Sequence, residues 1–91
     1  MRLTFCTDIK DEELGIVLFP DVEGELEADI LNRRDARFDI TAIYIEGKNL
    51  YRGDDFARRL AVTLNSILET EINTSGTRLH EMAVAELQEA A

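Results

Sequence analysis

The chain has 91 residues and a formal net charge of −9 at pH 7, from 19 acidic and 10 basic side chains. A hydrophobic content of 45% is typical of a folded domain and argues against general disorder. The negative charge argues against direct binding to nucleic acid or to an anionic membrane, because no basic stripe is present to neutralise phosphates. It favours a basic protein as partner.

The cysteine content and the hydropathy pattern indicate the compartment. Cys6 is the single cysteine, so no internal disulfide can form and a reducing compartment is expected. The residues after Arg2 lack the apolar core of a signal peptide. The longest apolar run, Ile16–Phe19, is too short to span a bilayer. We therefore expect a cytoplasmic protein with one domain, residues 1–91.

The first segments of the chain have the patterns of strands and a turn. Arg2–Asp8 places Leu3 and Phe5 between polar neighbours, which predicts a first strand. Asp11–Glu13 predicts a charged turn. Gly15–Phe19 is a short apolar run, which is typical of a central strand buried on both faces.

The next segment, Val22–Ile30, alternates apolar and acidic residues with a period of two. This alternation predicts a half-buried strand with its carboxylates in a row on one face. Successive acids on that face would lie roughly 6.7 Å apart, twice the rise per strand residue. Gly24 and the spacing of four between Val22, Leu26 and Ile30 leave a helical alternative open. The acids of the row are Glu23, Glu25, Glu27 and Asp29.

A hairpin should follow, because Asn32–Asp35 is rich in turn formers and Arg37–Ile45 is rich in strand formers. Hydrophobic matching favours a register with Ile30 opposite Ala36. This register sets Ala28 opposite Phe38 and Leu26 opposite Ile40. On the other face it sets Asp29 opposite Arg37, Glu27 opposite Asp39 and Glu25 opposite Thr41. Arg37 would then be the only base on the acidic face.

The same register leaves apolar residues on both faces of the sheet. Ile43 and Ile45 would lie on the face opposite Phe38 and Ile40, and a single helical layer cannot cover both faces. An exposed apolar patch usually marks an interface, and two-fold dimers are the commonest assembly. We therefore expect self-association, through this side of the strand or through the C-terminal helix.

The last third of the chain changes to a helical period. After a turn at Glu46–Asn49, Asp54 and Asp55 cap a helix over Phe56–Ile72. Asn73–Gly76 breaks this helix, and a second one is predicted over Thr77–Ala90. The inward residues are predicted to be Phe56, Leu60, Leu64, Ile67, Leu68 and Ile72 in the first helix, and Leu79, Met82, Ala83 and Leu87 in the second.

Strands first and helices last predict an α+β fold. We expect an antiparallel sheet of three to four strands, with two C-terminal helices packed on one face.

No pattern in the sequence indicates catalysis. Cys6 and His80 are the only thiol and imidazole, and we expect a packed or half-buried thiol and a surface or capping histidine. His80–Val84 begins like the zinc-protease motif H-E-x-x-H but has valine in place of the second histidine. Asp8–Glu13 lacks the alternation and central glycine of a calcium loop. We expect no enzymatic activity, no cofactor and no metal; a metal-dependent or Cys6-dependent enzyme is the minor alternative.

The row of acids is the best candidate for a functional site. Its charge spacing is of the same order as that of successive phosphates, so the row would act as a nucleic-acid mimic. In size, charge and layout the chain resembles small acidic phage inhibitors that block nucleic-acid-binding enzymes, anti-CRISPR proteins among them. This interpretation predicts a protein-interaction module that binds a basic, nucleic-acid-binding partner. The expected partner-binding residues are Glu23, Glu25, Glu27, Asp29 and Asp39.

Two simpler interpretations remain open. In one, the acidic face is only a solvated strand surface. In the other, the chain is a small structural or scaffold subunit, forming a homodimer whose acids confer solubility alone.

Overall fold

A computed structural model describes residues 1–11 and 14–89. Its strands are β1 (Arg2–Asp11), β2 (Ile16–Asn32), β3 (Arg37–Ile45) and β4 (Lys48–Asn49); a 3-10 turn spans Leu50–Arg52, and the helices are α1 (Asp55–Ile72) and α2 (Arg78–Glu89). The strands form one antiparallel sheet in the order β1-β2-β3-β4. The predicted α+β class, with its N-terminal sheet and two C-terminal helices, is confirmed. Val22–Ile30 is a strand, which excludes the helical alternative.

Both helices contribute to one apolar core on a single face of the sheet. α1 packs against β3, and α2 contacts α1 and β1. Leu64 and Leu68 of α1 meet Phe38 of β3 in this core, and all three side chains are fully buried. Burying a side chain of this size stabilises the fold by about 1.5–3 kcal/mol. The other buried apolar residues of the core are Leu3, Phe5, Ile9, Leu26, Ala28, Ile40, Ile43, Leu50, Ala61, Ile72, Leu79, Ala83 and Leu87.

Side-chain hydrogen bonds fix both ends of α1. The Asp54 carboxylate accepts a hydrogen bond from the Ala57 backbone N–H at 2.8 Å, as predicted for the helix cap. At the other end, the Asn73 side chain accepts from the Phe38 N–H at 2.8 Å and donates to the Phe38 carbonyl at 3.0 Å. Asn73 therefore pairs with the edge of β3 as a neighbouring strand would.

The predicted helices are confirmed to within one residue wherever their ends are described, but one inward residue is wrong. Phe56 is 68% exposed, and Ala61 is buried in the core. Residues four apart on a helix are rotated by about 40°, so three such steps move Phe56 about 120° away from Leu68, near which the buried face of α1 is centred. In α2 the predicted inward residues are buried or half-buried. The predicted last residue, Ala90, lies outside the described residues.

The register between β2 and β3 differs from the predicted one by two residues. Ile30 lies opposite Phe38, and Ala28 lies opposite Ile40. Both pairings keep the apolar residues on one face, so hydrophobic matching alone could not tell the two registers apart. Thr41 is then an extra residue, because Glu27 lies opposite Ala42.

The extra residue in β3 is a bulge, and it reverses the alternation of side chains beyond it. Ile43 therefore turns toward the helices, lies opposite Leu26 and is fully buried. Ile45 is half-buried against the same core. The prediction of an exposed apolar patch at Ile43 and Ile45 is wrong. The prediction of self-association through this side of β3 depended on that patch.

β1 and β2 continue past the rest of the sheet as a two-stranded arm, defined here as Asp8–Asp11 with Ile16–Asp21. β3 pairs with β2 over Glu25–Asn32, so within the described residues no third strand pairs with the arm. We use the word body for the remainder of the described structure. Of the predicted charged turn, Asp11 belongs to β1, and residues 12 and 13 lie outside the described residues.

The arm overturns the prediction for Gly15–Phe19. Instead of forming a central strand buried on both faces, Ile16, Val17 and Phe19 are 49%, 45% and 52% exposed. Short apolar runs are typical of buried strands, but the run itself carries no information about which elements will cover it.

An irregular junction separates the arm from the body. Asp21 has a left-handed backbone with φ of 52°, and its N–H donates to the Asp8 carboxylate at 2.9 Å. The register of β1 and β2 shifts between Thr7 and Ile9, next to this residue. Irregularities of this kind bend a hairpin and change the direction of the strands that follow.

Among the described residues, neither helix has the length and apolar character needed to cross a membrane.

Candidate interaction surface

All five predicted partner-binding carboxylates lie on the face of the sheet that points away from the helices. Along β2, the buried residues Leu26 and Ala28 alternate with the acids. Asp39 joins the row from β3, because it lies directly opposite Asp29. The acidic face is defined here as Glu23, Glu25, Glu27, Asp29 and Asp39.

Two of these acids oppose each other directly. Asp29 is exposed, Asp39 is half-buried, and they face each other across β2 and β3. The predicted neighbour of Asp29, Arg37, lies opposite Asn32 instead. Like charges placed directly opposite on neighbouring strands destabilise a sheet. A bound cation at this place would relieve that repulsion.

Arg2 is a second base on the acidic face, which the sequence reasoning missed. Its Nε lies 2.5 Å from a Glu25 carboxylate oxygen, and its Nη1 lies 3.9 Å from one of Glu27. The guanidinium carbon lies 4.4 Å from the ring centroid of Tyr44, which is stacking distance. The Tyr44 hydroxyl donates to Glu27 at 3.2 Å.

The signal for Arg2 was present in the alternation of β1. Arg2, Thr4 and Cys6 are out of phase with the buried Leu3 and Phe5, so they belong to the outer face. No pairing of β1 with β2 was predicted from the sequence. With that pairing, Arg2 would have been placed beside the acids. Arg2 lies opposite Glu27 in that pairing.

The pKa of the Cys6 thiol is affected by the charges on this face. The thiol is exposed, not packed as expected, and lies opposite Glu23 in the pairing of β1 with β2. Partial desolvation raises the pKa of Cys6 above its ordinary value, and the carboxylates of Glu23, Asp21 and Asp8 raise it further. The Arg78 guanidinium acts in the opposite direction.

An open cleft of about 490 Å³ borders the acidic face and is lined by β1, β2, the end of β3 and the start of α2. Its charged lining has four glutamates and two arginines, and its apolar lining includes Phe5, Leu79 and Met82. The charged residues are Glu23, Glu25, Glu46, Glu71, Arg2 and Arg78. Because carboxylates outnumber guanidiniums, this lining suits a cationic group better than a phosphate.

The histidine that resembled part of a zinc motif has a structural role. The backbone N–H of His80 donates to the Thr77 hydroxyl at 3.1 Å, at the start of α2. Its Nδ1 lies 2.7 Å from the Ile72 carbonyl oxygen, and its ring meets the ring of Phe38 edge to face. His80 therefore joins the two helices, which agrees with the expected capping role. Within residues 1–11 and 14–89, no three His, Cys, Asp or Glu side chains are grouped so that they could hold a metal ion.

No protein-family model matches the chain, and comparisons with curated proteins and with solved structures give no match.

Proposed function

We propose that the chain is a non-enzymatic interaction module whose acidic face binds a basic, nucleic-acid-binding protein and competes with its nucleic acid. The observation that carries this proposal is the row of five carboxylates on one open face of the sheet, which includes the directly opposed pair Asp29 and Asp39. A row of this kind creates a field that steers a basic partner toward it. The relief of like-charge repulsion then favours the complex.

The acidic face also has the chemistry to hold an arginine side chain. Arg2 contacts Glu25 and Glu27 through its guanidinium and stacks on Tyr44. Carboxylates combined with an aromatic face are a favourable environment for a guanidinium. Arginines that bind phosphates in the partner could bind the carboxylates of this face in the same way. The nucleic-acid-mimic and anti-CRISPR-like interpretation remains part of this proposal, as does the cytoplasmic location.

A different protein is a better partner than a second copy of this chain. The register of β3 buries Ile43, which removes the apolar patch expected to join two copies. Two acidic faces would also repel each other. The scaffold homodimer therefore loses the argument that rested on β3.

The test is a charge reversal on the acidic face with a matched control. The parent and the variant Glu25→Lys/Glu27→Lys are used as baits in extracts of the native host, and retained proteins are identified by mass spectrometry. The control, Glu86→Lys/Glu89→Lys, makes the same charge change at exposed positions of α2. Urea denaturation of each variant checks that it folds, because the new lysines would lie close to Arg2 and repel it.

Association rates with the identified partner decide the outcome. We expect the acidic-face variant to associate at least about tenfold more slowly at low salt, because charges at an interface act mainly on the association rate. The control should bind like the parent, as should Cys6→Ala and His80→Ala. In competition, the parent should displace the nucleic acid from the partner. If the acidic-face variant bound as fast as the parent, the row would be only a solvated surface.

A further inference from the structure

The arm exposes an unusual concentration of apolar side chains. Three apolar residues within four positions of the arm are exposed: Ile16 by 49%, Val17 by 45% and Phe19 by 52%. Single apolar residues on a surface are ordinary, whereas a group of them marks an interaction site. The group also lies on a projecting two-stranded hairpin, and such a hairpin is only marginally stable unless other elements cover it.

The charges of the same segment indicate what covers these side chains. Residues 8–21 contain five acids and one base, Lys10. Asp8 and Asp21 lie at the junction, where the Asp8 carboxylate accepts from the Asp21 N–H. The apolar residues therefore belong to a segment with a net charge of −4, five acids against one base, and the complementary surface is apolar with a basic rim.

We propose that the arm inserts into an apolar, basic-rimmed groove of the same partner protein that the acidic face binds. The groove would cover Ile16 and Phe19 on one face of the hairpin and Val17 on the other. This inference rests on the proposed function and adds an apolar anchor to it. The arm and the acidic face are continuous, because Glu23 follows Asp21 by two residues on β2. The acids would govern the rate of association, and the arm would slow dissociation.

The two other possible occupants are disfavoured by charge. A second copy would bring its own acidic segment against the first. An anionic membrane surface would repel the arm for the same reason. A basic protein surface is the occupant that satisfies both the apolar and the acidic side chains.

Two synthetic peptides of equal length and equal positive charge serve as probes. One is an amphipathic lysine–leucine helix, and the other has serine in place of every leucine. We expect the parent to bind the leucine peptide at least about tenfold more tightly than the serine peptide, because only the leucine peptide buries the apolar side chains of the arm.

The chain offers a matched control for the apolar residues. The test variant is Val17→Ser/Phe19→Ser in the arm. The control is Phe56→Ser/Val62→Ser on α1, where the same two residue types are 68% and 70% exposed. The arm variant should lose most of its preference for the leucine peptide, and the control should keep it. If the double arm variant failed to fold, Phe19→Ser alone would be measured.

The remaining outcomes separate the two proposals. Equal affinity of the parent for both peptides would overturn the arm inference and leave the proposed function standing. The absence of salt-sensitive binding to either peptide would overturn both. Arm-dependent self-association in sedimentation, or arm-dependent binding to vesicles of zwitterionic phospholipid, would overturn the choice of a basic protein as occupant.

Discussion

β1 and β2 run through both the body and the arm. The helices cover one face of the sheet in the body, but in the arm they reach only its base, where Ile9 is buried. In the body, Leu3 and Leu26 lie opposite each other and keep 4% and 0% of their surface exposed. In the arm, Val17 and Phe19 keep 45% and 52% exposed. All four are apolar strand residues, so their hydrophobicity does not explain the difference. Burial depends on which parts of the sheet α1 and α2 reach.

The comparison also separates two kinds of surface. The outer face of the body is acidic and contains its own counter-charge, Arg2. The arm presents apolar side chains to solvent. In the proposed complex the acidic face would speed association and the arm would supply contact area. Charge steers association, whereas the lifetime of a complex depends on contacts from which water is excluded. Each of the following experiments tests how far the two regions differ.

The largest expected effect comes from truncating one phenylalanine in each region. Phe38→Ala should lower the free energy of unfolding by about 3–5 kcal/mol, because Phe38 is fully buried in the core. Phe19→Ala should lower it by less than about 1 kcal/mol, because half of that side chain already contacts solvent. Urea denaturation of both variants measures this. Equal losses would mean that the arm is covered in solution.

The second-largest expected loss of stability is at Gly24, in the body, where β2 passes close to the end of β3. A Cβ added at Gly24 would lie 2.3 Å from the Tyr44 carbonyl oxygen and 2.9 Å from Phe5. We expect Gly24→Ala to destabilise the protein by about 1–3 kcal/mol, because backbone must move to make room. Gly15→Ala, next to the arm, is the comparison. Apart from the chain neighbours of Gly15, no atom of the described residues lies within 4 Å of the added Cβ, and the cost comes from the positive φ. If Gly24→Ala lowered the free energy of unfolding less than Gly15→Ala did, the close approach of Gly24 to Tyr44 and Phe5 would be contradicted.

A smaller effect tests the counter-charge on the acidic face. A double-mutant cycle with Arg2→Gln and Glu25→Gln should give a coupling free energy of about 0.2–1 kcal/mol, because both side chains are half-exposed. The cycle for the pair Arg58 and Asp55 on α1 is the control, and it should give less because these side chains are more exposed, at 61% and 87%. Both couplings should shrink in high salt. A coupling free energy of zero would show that Arg2 is not a counter-charge to Glu25.

The smallest effect is on the reactivity of Cys6. Its raised pKa leaves less thiolate at any pH below that pKa, so alkylation by iodoacetamide at pH 8 should be slower than for free cysteine. The rate should rise with pH through the folded-state pKa, and it should rise with added salt, which screens the carboxylates. Glu23→Gln should speed the reaction, and Glu86→Gln should leave it unchanged. A rate insensitive to Glu23 and to salt would show that the field of the acidic face does not reach the thiol.

Local patterns predicted most elements of the fold. The alternation in Val22–Ile30 identified β2, and the period of α1 together with Asp54 identified that helix and its cap. The acidic face followed from the same alternation, because side chains two apart on a strand must share a face. These features depend on neighbours within a few residues, so the sequence displays them directly.

Features that depend on distant segments were predicted less well. The register of β3 was set by its turn and by the bulge at Thr41, and hydrophobic matching permits either register. Arg2 was missed because its place among the acids depends on the pairing of β1 with β2, more than 20 residues apart. A proposed site on a sheet therefore needs the pairing of its strands before its counter-charges can be counted.

By itself, the amino-acid sequence determined the charge of this protein, the periods of its strands and helices, and the presence of a row of carboxylates on one side of a strand. Only the tertiary structure decided that Asp29 faces Asp39, that Arg2 lies among the acids, and that Ile16, Val17 and Phe19 remain exposed on an arm. The physical reason is that periodicity fixes the direction of a side chain relative to its own backbone. What that side chain meets is fixed by strand pairing and by the reach of the helices, and both depend on contacts between segments far apart in the chain.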